Sequence, residues 1–290
     1  YHFACRTTHR DTNSPVRRTI FCLSDYASER EVRHLTLKLR HCCFSVGGQR
    51  LLEDVSATIP SGCVTGILGA NGAGKTSLVH LAAGYEKALS GSIRLDAIDL
   101  KSWSRGELAK KIAVLPQTAT LDFPFSVEEV VLMGRIPHQS DEATNRALVA
   151  KVLSLFSLTD FAQRPYTSLS GGEKQRVQIC RVVSQVIDDL SHAHLLFDEP
   201  IAPLDIAHQV AFFRLVRGFA AQGTAVGLVL HDIELACQFC DEIILMSEGK
   251  ILGAGKPAAV ITSESIQQAF DVSATVTEGP AGAIQLIFAD

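Results

Sequence analysis

The stretch "GANGAGKTS" at residues 69–77 stands directly behind the apolar run "CVTGIL". Three glycines and a lysine are poor core material, yet they follow a segment that reads as a buried strand. The next segment, "KTSLVHLAAG", has helical spacing and closes at Gly84, a C-cap residue. Gly69 to Thr76 fit G-x-x-x-x-G-K-S/T in the strand-then-helix context that gives the pattern its meaning. Glycine lets the backbone curl until successive N–H groups converge on an anion at the start of the following helix. Lys75 then supplies a point charge to the β- and γ-phosphates, and Thr76 a hydroxyl to Mg²⁺. The expectation is a nucleotide site made by Gly69, Ala70, Asn71, Gly72, Ala73, Gly74, Lys75, Thr76 and Ser77.

Such a loop needs a strand ending in carboxylates. "HLLFDEP" at 194–200 supplies one, with Asp198 placed to hold Mg²⁺ and Glu199 to orient or deprotonate an attacking water. Adjacent strand residues point to opposite faces, so the two carboxylates are expected to do different work. A second anion site is expected at "LSGGEKQR", 169–176, where a glycine pair opens another predicted helix. One nucleotide needs one phosphate cradle, so a second anion-binding helix end points to ATP clamped between two copies of the chain.

The wider pattern agrees. "LTLKLRHCCFSV" alternates as a strand turned by "GGQR", "GSIRLDAIDL" reads as a hairpin strand, and "SRGELAKK" as a helix with Ser104 as N-cap and Glu107 three residues on. "IAVLPQ" is a buried strand. Residues 125 to about 190 are helical in pattern, after which strands "HLLFDEP", "AVGLVLHD" and "EIILMSEGKILGAG" alternate with helices "IAHQVAFFRLVRGFAAQG" and "IELACQFC". This alternation predicts an α/β fold, a parallel sheet covered on both faces, with the helical block as an insertion at about 120–190.

Together these segments resemble the ATP-binding cassette family from about residue 36 to the end. The matching pieces are the phosphate loop, Gln117 in "LPQ", the signature "LSGGE", the strand "LLFDE", Asp205 in "PLD" and His231 in "LVLHD". The resemblance implies a P-loop NTPase core with an antiparallel β subdomain and an inserted α-helical subdomain. It implies ATP and Mg²⁺ as cofactors, with Thr76, Asp198 and Gln117 around the metal and Glu199, His231 and Gln117 in catalysis. Ser170, Gly171 and Gly172 would meet the γ-phosphate of the opposite subunit, with Asp205 beside the nucleotide.

Within the family the chain looks like the ATPases of iron-chelate, haem and cobalamin importers, from "AVLPQ" and "FPFSVEEVVLMGRIPH". The stretches "LSGGEKQRVQ", "LDIAHQ" and the long "CRVVSQVIDDLSHAH" look most like the hemin-importer group. Implied partners are a second copy, a membrane permease facing residues 124–139 and, indirectly, a periplasmic substrate-binding protein. The implied location is the cytoplasmic side of a bacterial inner membrane. Siderophore and cobalamin import remain alternatives. Three departures stand out. Val46 replaces an aromatic that stacks on adenine, Ala202–Pro203 replaces a commoner Ser-Ala, and Cys180 replaces alanine.

Bulk properties narrow the rest. A net charge of −4 disfavours a nucleic-acid binder working by bulk electrostatics, and with no sustained heptads it argues against soluble cassettes acting on ribosomes or DNA. No apolar run approaches the roughly 20 residues needed to span a bilayer. "CQFC" at 237–240 falls on a helical pattern, so its thiols are expected to pack as small hydrophobes. Residues 1–35 are polar and aperiodic. They read as a disordered extension or a misassigned start, and Asp11, Asp25, Glu29 and Glu31 weigh against a transit peptide.

Overall fold

The computed structural model describes residues 36–118, 121–279 and 284–288, so the extension expected at 1–35 lies outside it. Strands β1 (Leu37–Val46) and β2 (Gln49–Ile59) form a hairpin closed by Gly47 and Gly48, both at positive φ. The alternation of β1 survives one interruption. Leu39 pairs with Ala57 and Cys42 with Val55, which leaves one extra residue on β1, and His41 takes φ +49° to absorb it. Without that bulge Cys42 and Phe44 would face solvent instead of the core.

The next strand, β3 (Val64–Gly69), leads through the phosphate loop into helix α1 (Lys75–Ala82). Strands β4 (Ser90–Leu95) and β5 (Ile98–Asp99) then complete an antiparallel sheet in the order β2-β1-β4-β5. Helix α2 (Arg105–Ala109) has the reciprocal Ser104–Glu107 cap read from the sequence, and β6 (Ile112–Leu115) follows it.

Between β6 and β7 (His194–Asp198) lies the helical block: α3 (Val127–Leu132), α4 (Glu142–Leu155) and α5 (Gly171–Val186). Ser126, Asp141 and Ser170 each accept a backbone N–H at the starts of these helices. Helix α6 (Ile206–Ala220), β8 (Ala225–Val229), α7 (Ile233–Phe239), β9 (Glu242–Ser247) and β10 (Lys250–Gly255) follow. "EIILMSEGKILGAG" therefore divides into two strands, because Glu248 and Gly249 turn the chain at positive φ. Short helices α8 (Pro257–Val260) and α9 (Ser263–Phe270) and a hairpin of β11 (Ala274–Glu278) and β12 (Ile284–Phe288) close the described chain.

The main sheet has the order β10-β9-β3-β8-β7-β6, parallel except for β10 at its edge. A central strand buries both faces, so each apolar run splits between two cores. Val64, Leu195, Phe197 and Leu228 join the core shared with the helical block. Ile67, Leu196, Val229 and Ile244 join the one beneath the antiparallel sheet. The expected thiol packing holds as well. Cys240 is buried and Cys237 half-buried, and desolvation pushes the pKa of Cys237 up to about 11 and that of Cys240 to about 12, as in inert thiols. No helix among the described residues is long and apolar enough to cross a membrane.

Candidate nucleotide site

The phosphate loop is gripped from two sides. A Cβ on Gly69 would stand 2.3 Å from the carbonyl of Met246 on β9, and one on Gly74 would stand 2.9 Å from the carbonyl of Leu51 on β2. The Gly249 N–H donates to the Ala73 carbonyl at 3.0 Å, while the Gly249 carbonyl accepts from the Glu53 N–H at 2.9 Å. The β9–β10 turn thus brackets the loop against β2. Helix α1 begins at Gly74 with no capping side chain and no acid in its first turn, in contrast to the side-chain-capped α2, α3, α5 and α6. Its first N–H groups are left for an anion.

Lys75 is buried and donates to the carbonyls of Gly69 (2.7 Å) and Ala70 (2.9 Å). Burial lowers its pKa, and the carboxylates of Glu199 and Asp198 oppose the shift. An ammonium has three N–H donors, so the two carbonyls fix its position and leave one for a phosphate oxygen.

Asp198, at the end of β7, is 1% exposed. Its Oδ2 accepts from the Thr76 hydroxyl at 2.7 Å, while Oδ1 is buried and, among the described residues, without a partner. Burial raises its pKa despite the Thr76 bond. An unpartnered anionic oxygen beside the Thr76 hydroxyl, with Thr76 and the Gln117 amide lining one cavity, is a hard oxygen donor set that fits Mg²⁺.

Glu199 departs from the expected strand alternation. It takes φ +52°, so the strand ends at Asp198 and Glu199 turns into the cavity in the left-handed region, a conformation costly for a non-glycine residue. Its Oε1 lies 2.6 Å from His231 Nε2. Burial pushes its pKa up, but hydrogen bonds from His231 and Gln117 outweigh this and hold it below the usual carboxylate range.

A cavity of about 600 Å³ is lined by Asn71, Gly72, Gly74, Lys75, Thr76, Ser77, Gln117, Glu199 and His231, while Asp198 stands behind Thr76 and, like Gly69, Ala70 and Ala73, is not among its lining residues. Leu51 lines it too, a residue that sequence reasoning missed. Its signal was an apolar side chain out of phase with the β2 alternation, in which Leu52 is buried and Leu51 only half so. Val46 is exposed at the hairpin tip, and Phe44 is 6% exposed within the core.

Ser170, Gly171, Gly172 and Asp205 are not among the residues lining this cavity. Ser170 caps α5 in a reciprocal pair with Glu173. Gly172 lies against the loop before α6, where a Cβ would stand 3.0 Å from the Pro203 carbonyl. Asp205 caps α6 and accepts from the His208 N–H at 2.9 Å. Gly171 instead lines a second cavity of about 230 Å³ with Lys174, Gln175 and Pro203.

A P-loop ending in Lys-Thr, a Thr–Asp pair and a Glu–His pair on adjacent parallel strands define a nucleoside-triphosphate-binding protein of the P-loop class. Residues 52–202 match the ABC transporter family model, and the chain belongs to that family. It is 39% identical to the hemin import ATP-binding protein HmuV of Pseudomonas fluorescens over 84% of this chain and 95% of that one. It is 36% identical to the cobalamin import ATP-binding protein BtuD of Halobacterium salinarum over 85% of this chain and 62% of that one. Its fold is similar to that of an ATP-binding cassette of an ABC transporter solved in its ADP conformation (TM-score 0.70, 22% identity, 82% of this chain and 98% of that one).

Proposed function

We propose that this chain is the ATP-binding and ATP-hydrolysing subunit of an ABC importer that drives hemin uptake through a separate membrane permease. The observation that carries the chemistry is one cavity lined both by the phosphate loop with Lys75 and by the Glu199–His231 pair. The free N–H groups of α1 and the Lys75 ammonium bind the phosphates. When bound, Mg²⁺ neutralises charge on the β- and γ-phosphates. Thr76, Asp198 and Gln117 would hold it. Glu199, ionised at neutral pH, takes the proton of the attacking water, and His231 keeps its carboxylate aimed. Gln117 bonds the same carboxylate.

The signature turn, Ser170 to Gly172, belongs to the second copy's nucleotide in this reading, which accounts for its place outside the phosphate cavity. Two copies then enclose two ATP, attached through the permease to the cytoplasmic face of a bacterial inner membrane. A periplasmic binding protein would deliver cargo on the far side. The HmuV relatives support hemin as cargo, and the BtuD relative supports cobalamin as the second reading. Cargo never touches the ATP site, so the test is made on the assembly. Reconstitution with the permease should give ATP-dependent hemin uptake. Uptake of cobalamin or a ferric siderophore instead would overturn the hemin assignment.

A further inference from the structure

His231 stands just before a short helix that has little of its own to hold it in place. The residue is exposed beyond the end of β8, and α7 (Ile233–Phe239) begins two residues later. Asp232 caps that helix, its carboxylate accepting the Leu235 N–H at 2.9 Å. Seven residues make about two helical turns, too few to be stable by backbone hydrogen bonds alone. Packing therefore sets where α7 lies, and with it the backbone that presents His231 to Glu199.

That packing differs at the two ends of α7. At the far end Phe239 stacks on Phe213 of α6, with ring centroids 4.3 Å apart and planes 5° from parallel. Phe213 is fully buried, so this end is fixed to the core. At the near end the anchor comes from β12, 52 residues further along the chain. The Leu286 N–H donates to Glu234 Oε1 at 3.0 Å, and Ile284 and Leu286 pack on the same core as Ile233 and Leu235. Glu234 is exposed, in the first turn of α7 and three residues after His231. Water would serve an exposed carboxylate as well, so burial does not force its bond to β12. A two-stranded hairpin is marginal by itself, and β11–β12 leans on α9 and α7. Glu234 is where hairpin and helix are tied.

We propose that Glu234 is a positioning residue for ATP hydrolysis: by holding β12 it seats α7, and so keeps His231 in register with the Glu199 carboxylate. This rests on the catalytic reading of the Glu199–His231 pair given above. The two side chains meet at 2.6 Å, and a hydrogen bond weakens steeply once its geometry is lost. A displacement of about 1 Å near a reacting centre costs on the order of 10²-fold in rate. Looser seating through one bond should cost less, about tenfold. The phosphate loop and Lys75 lie on other elements, β3 and α1, so nucleotide binding should not follow.

The test is steady-state ATP hydrolysis by the full chain, with a melting temperature for each variant. It compares wild type, Glu234→Ala, Glu234→Gln, His231→Ala and the double variant Glu234→Ala/His231→Ala. Glu234→Ala should lower kcat about tenfold and leave KM for ATP within about twofold. Glu234→Gln keeps an acceptor oxygen of the same shape and should return kcat to within about threefold of wild type. In the His231→Ala background, Glu234→Ala should cost less than about twofold more, because the side chain it positions is gone. Glu234→Ala should melt within about 4 °C of wild type, and a larger fall would make it a folding element and overturn the proposal. A full additive loss in the double variant would overturn it too, as would unchanged kcat in Glu234→Ala. So would a Glu234→Gln as slow as Glu234→Ala. In each of these cases a slow His231→Ala leaves the catalytic reading of the pair standing. A His231→Ala chain that hydrolyses ATP as wild type does would overturn that reading, and the positioning role with it.

Discussion

His231 Nε2 and Glu199 Oε1 lie 2.6 Å apart, joining the end of β8 to the residue just past β7. Both strands are parallel neighbours, so their C-terminal ends necessarily open on the same side of the sheet as the phosphate loop. The left-handed turn at Glu199 then swings its carboxylate off the strand and under the imidazole. Removing either partner should disturb a different quantity.

Glu199→Gln keeps the shape and loses the base. It should bind ATP as wild type does and turn over roughly 10²–10⁴-fold more slowly. Binding without hydrolysis should also trap a dimer, visible by size-exclusion chromatography with ATP and Mg²⁺. His231→Ala leaves the carboxylate in place but unaimed, so turnover should fall while nucleotide affinity changes little. Near-normal turnover in Glu199→Gln would remove it from the role of base.

Asp198 carries a cost in the protein without nucleotide. Burial makes the folded state hold this proton more tightly than the unfolded chain does. Between the ordinary Asp pKa and the raised one, the folded state binds more protons than the unfolded, so stability falls as pH rises through that window. Above it the penalty is fully present. Asp198→Asn should therefore stabilise the protein at pH 7 by about 1 kcal/mol, roughly 2–4 °C in melting temperature. The advantage should shrink as pH is lowered toward about 4. Mg²⁺ with ATP should raise the melting temperature of wild type more than that of the variant. A destabilised Asp198→Asn at pH 7 would mean that Oδ1 has a partner in solution.

The shared site can be tested without disturbing the fold. A side chain on Gly171 would meet nothing within 4 Å, so Gly171→Arg should fold normally while blocking the approach of a partner's phosphates. Lys75→Ala abolishes phosphate binding within its own chain. Each variant alone should be inactive, and mixing them should restore one working site per heterodimer. Heterodimers that form without activity, or an active Gly171→Arg homodimer, would rule out the arrangement.

What was legible in the sequence is local. The phosphate loop, the Ser104 cap, the strand ending at Asp198 and the helical block depend on short-range spacing and appear where the residues put them. What was not legible depends on residues far apart in the chain. The left-handed turn at Glu199 is held by His231 and Gln117, and the Gly172–Pro203 contact joins two motifs that read as separate. The split of β9 and β10 follows from two residues at positive φ inside an apolar run. Leu51 faces the cavity because Gly249 pins β2 against the phosphate loop, a pairing no periodicity records.

Leu51 also changes the expectation for the base. Phe44 is in the core and cannot stack on a nucleotide without leaving it, and Val46 is aliphatic and exposed. The apolar surface beside the phosphate loop is therefore Leu51. An aliphatic side chain gives contact area but no π-face, and a stacked aromatic is worth about 1–3 kcal/mol per base by truncation. Phosphate and Mg²⁺ contacts, common to all nucleoside triphosphates, should dominate binding. ATP and GTP should accordingly bind the isolated subunit within about fivefold of each other, a difference smaller than one aromatic stack. Val46→Tyr should place a ring at the hairpin tip beside this surface and tighten ATP binding by at least about fivefold. Leu51→Ala should weaken ATP and GTP alike. Competition of GTP against labelled ATP, with and without residues 1–35, checks all three. A strong ATP preference that survives both deletion of the extension and Leu51→Ala would show that another group reads the base.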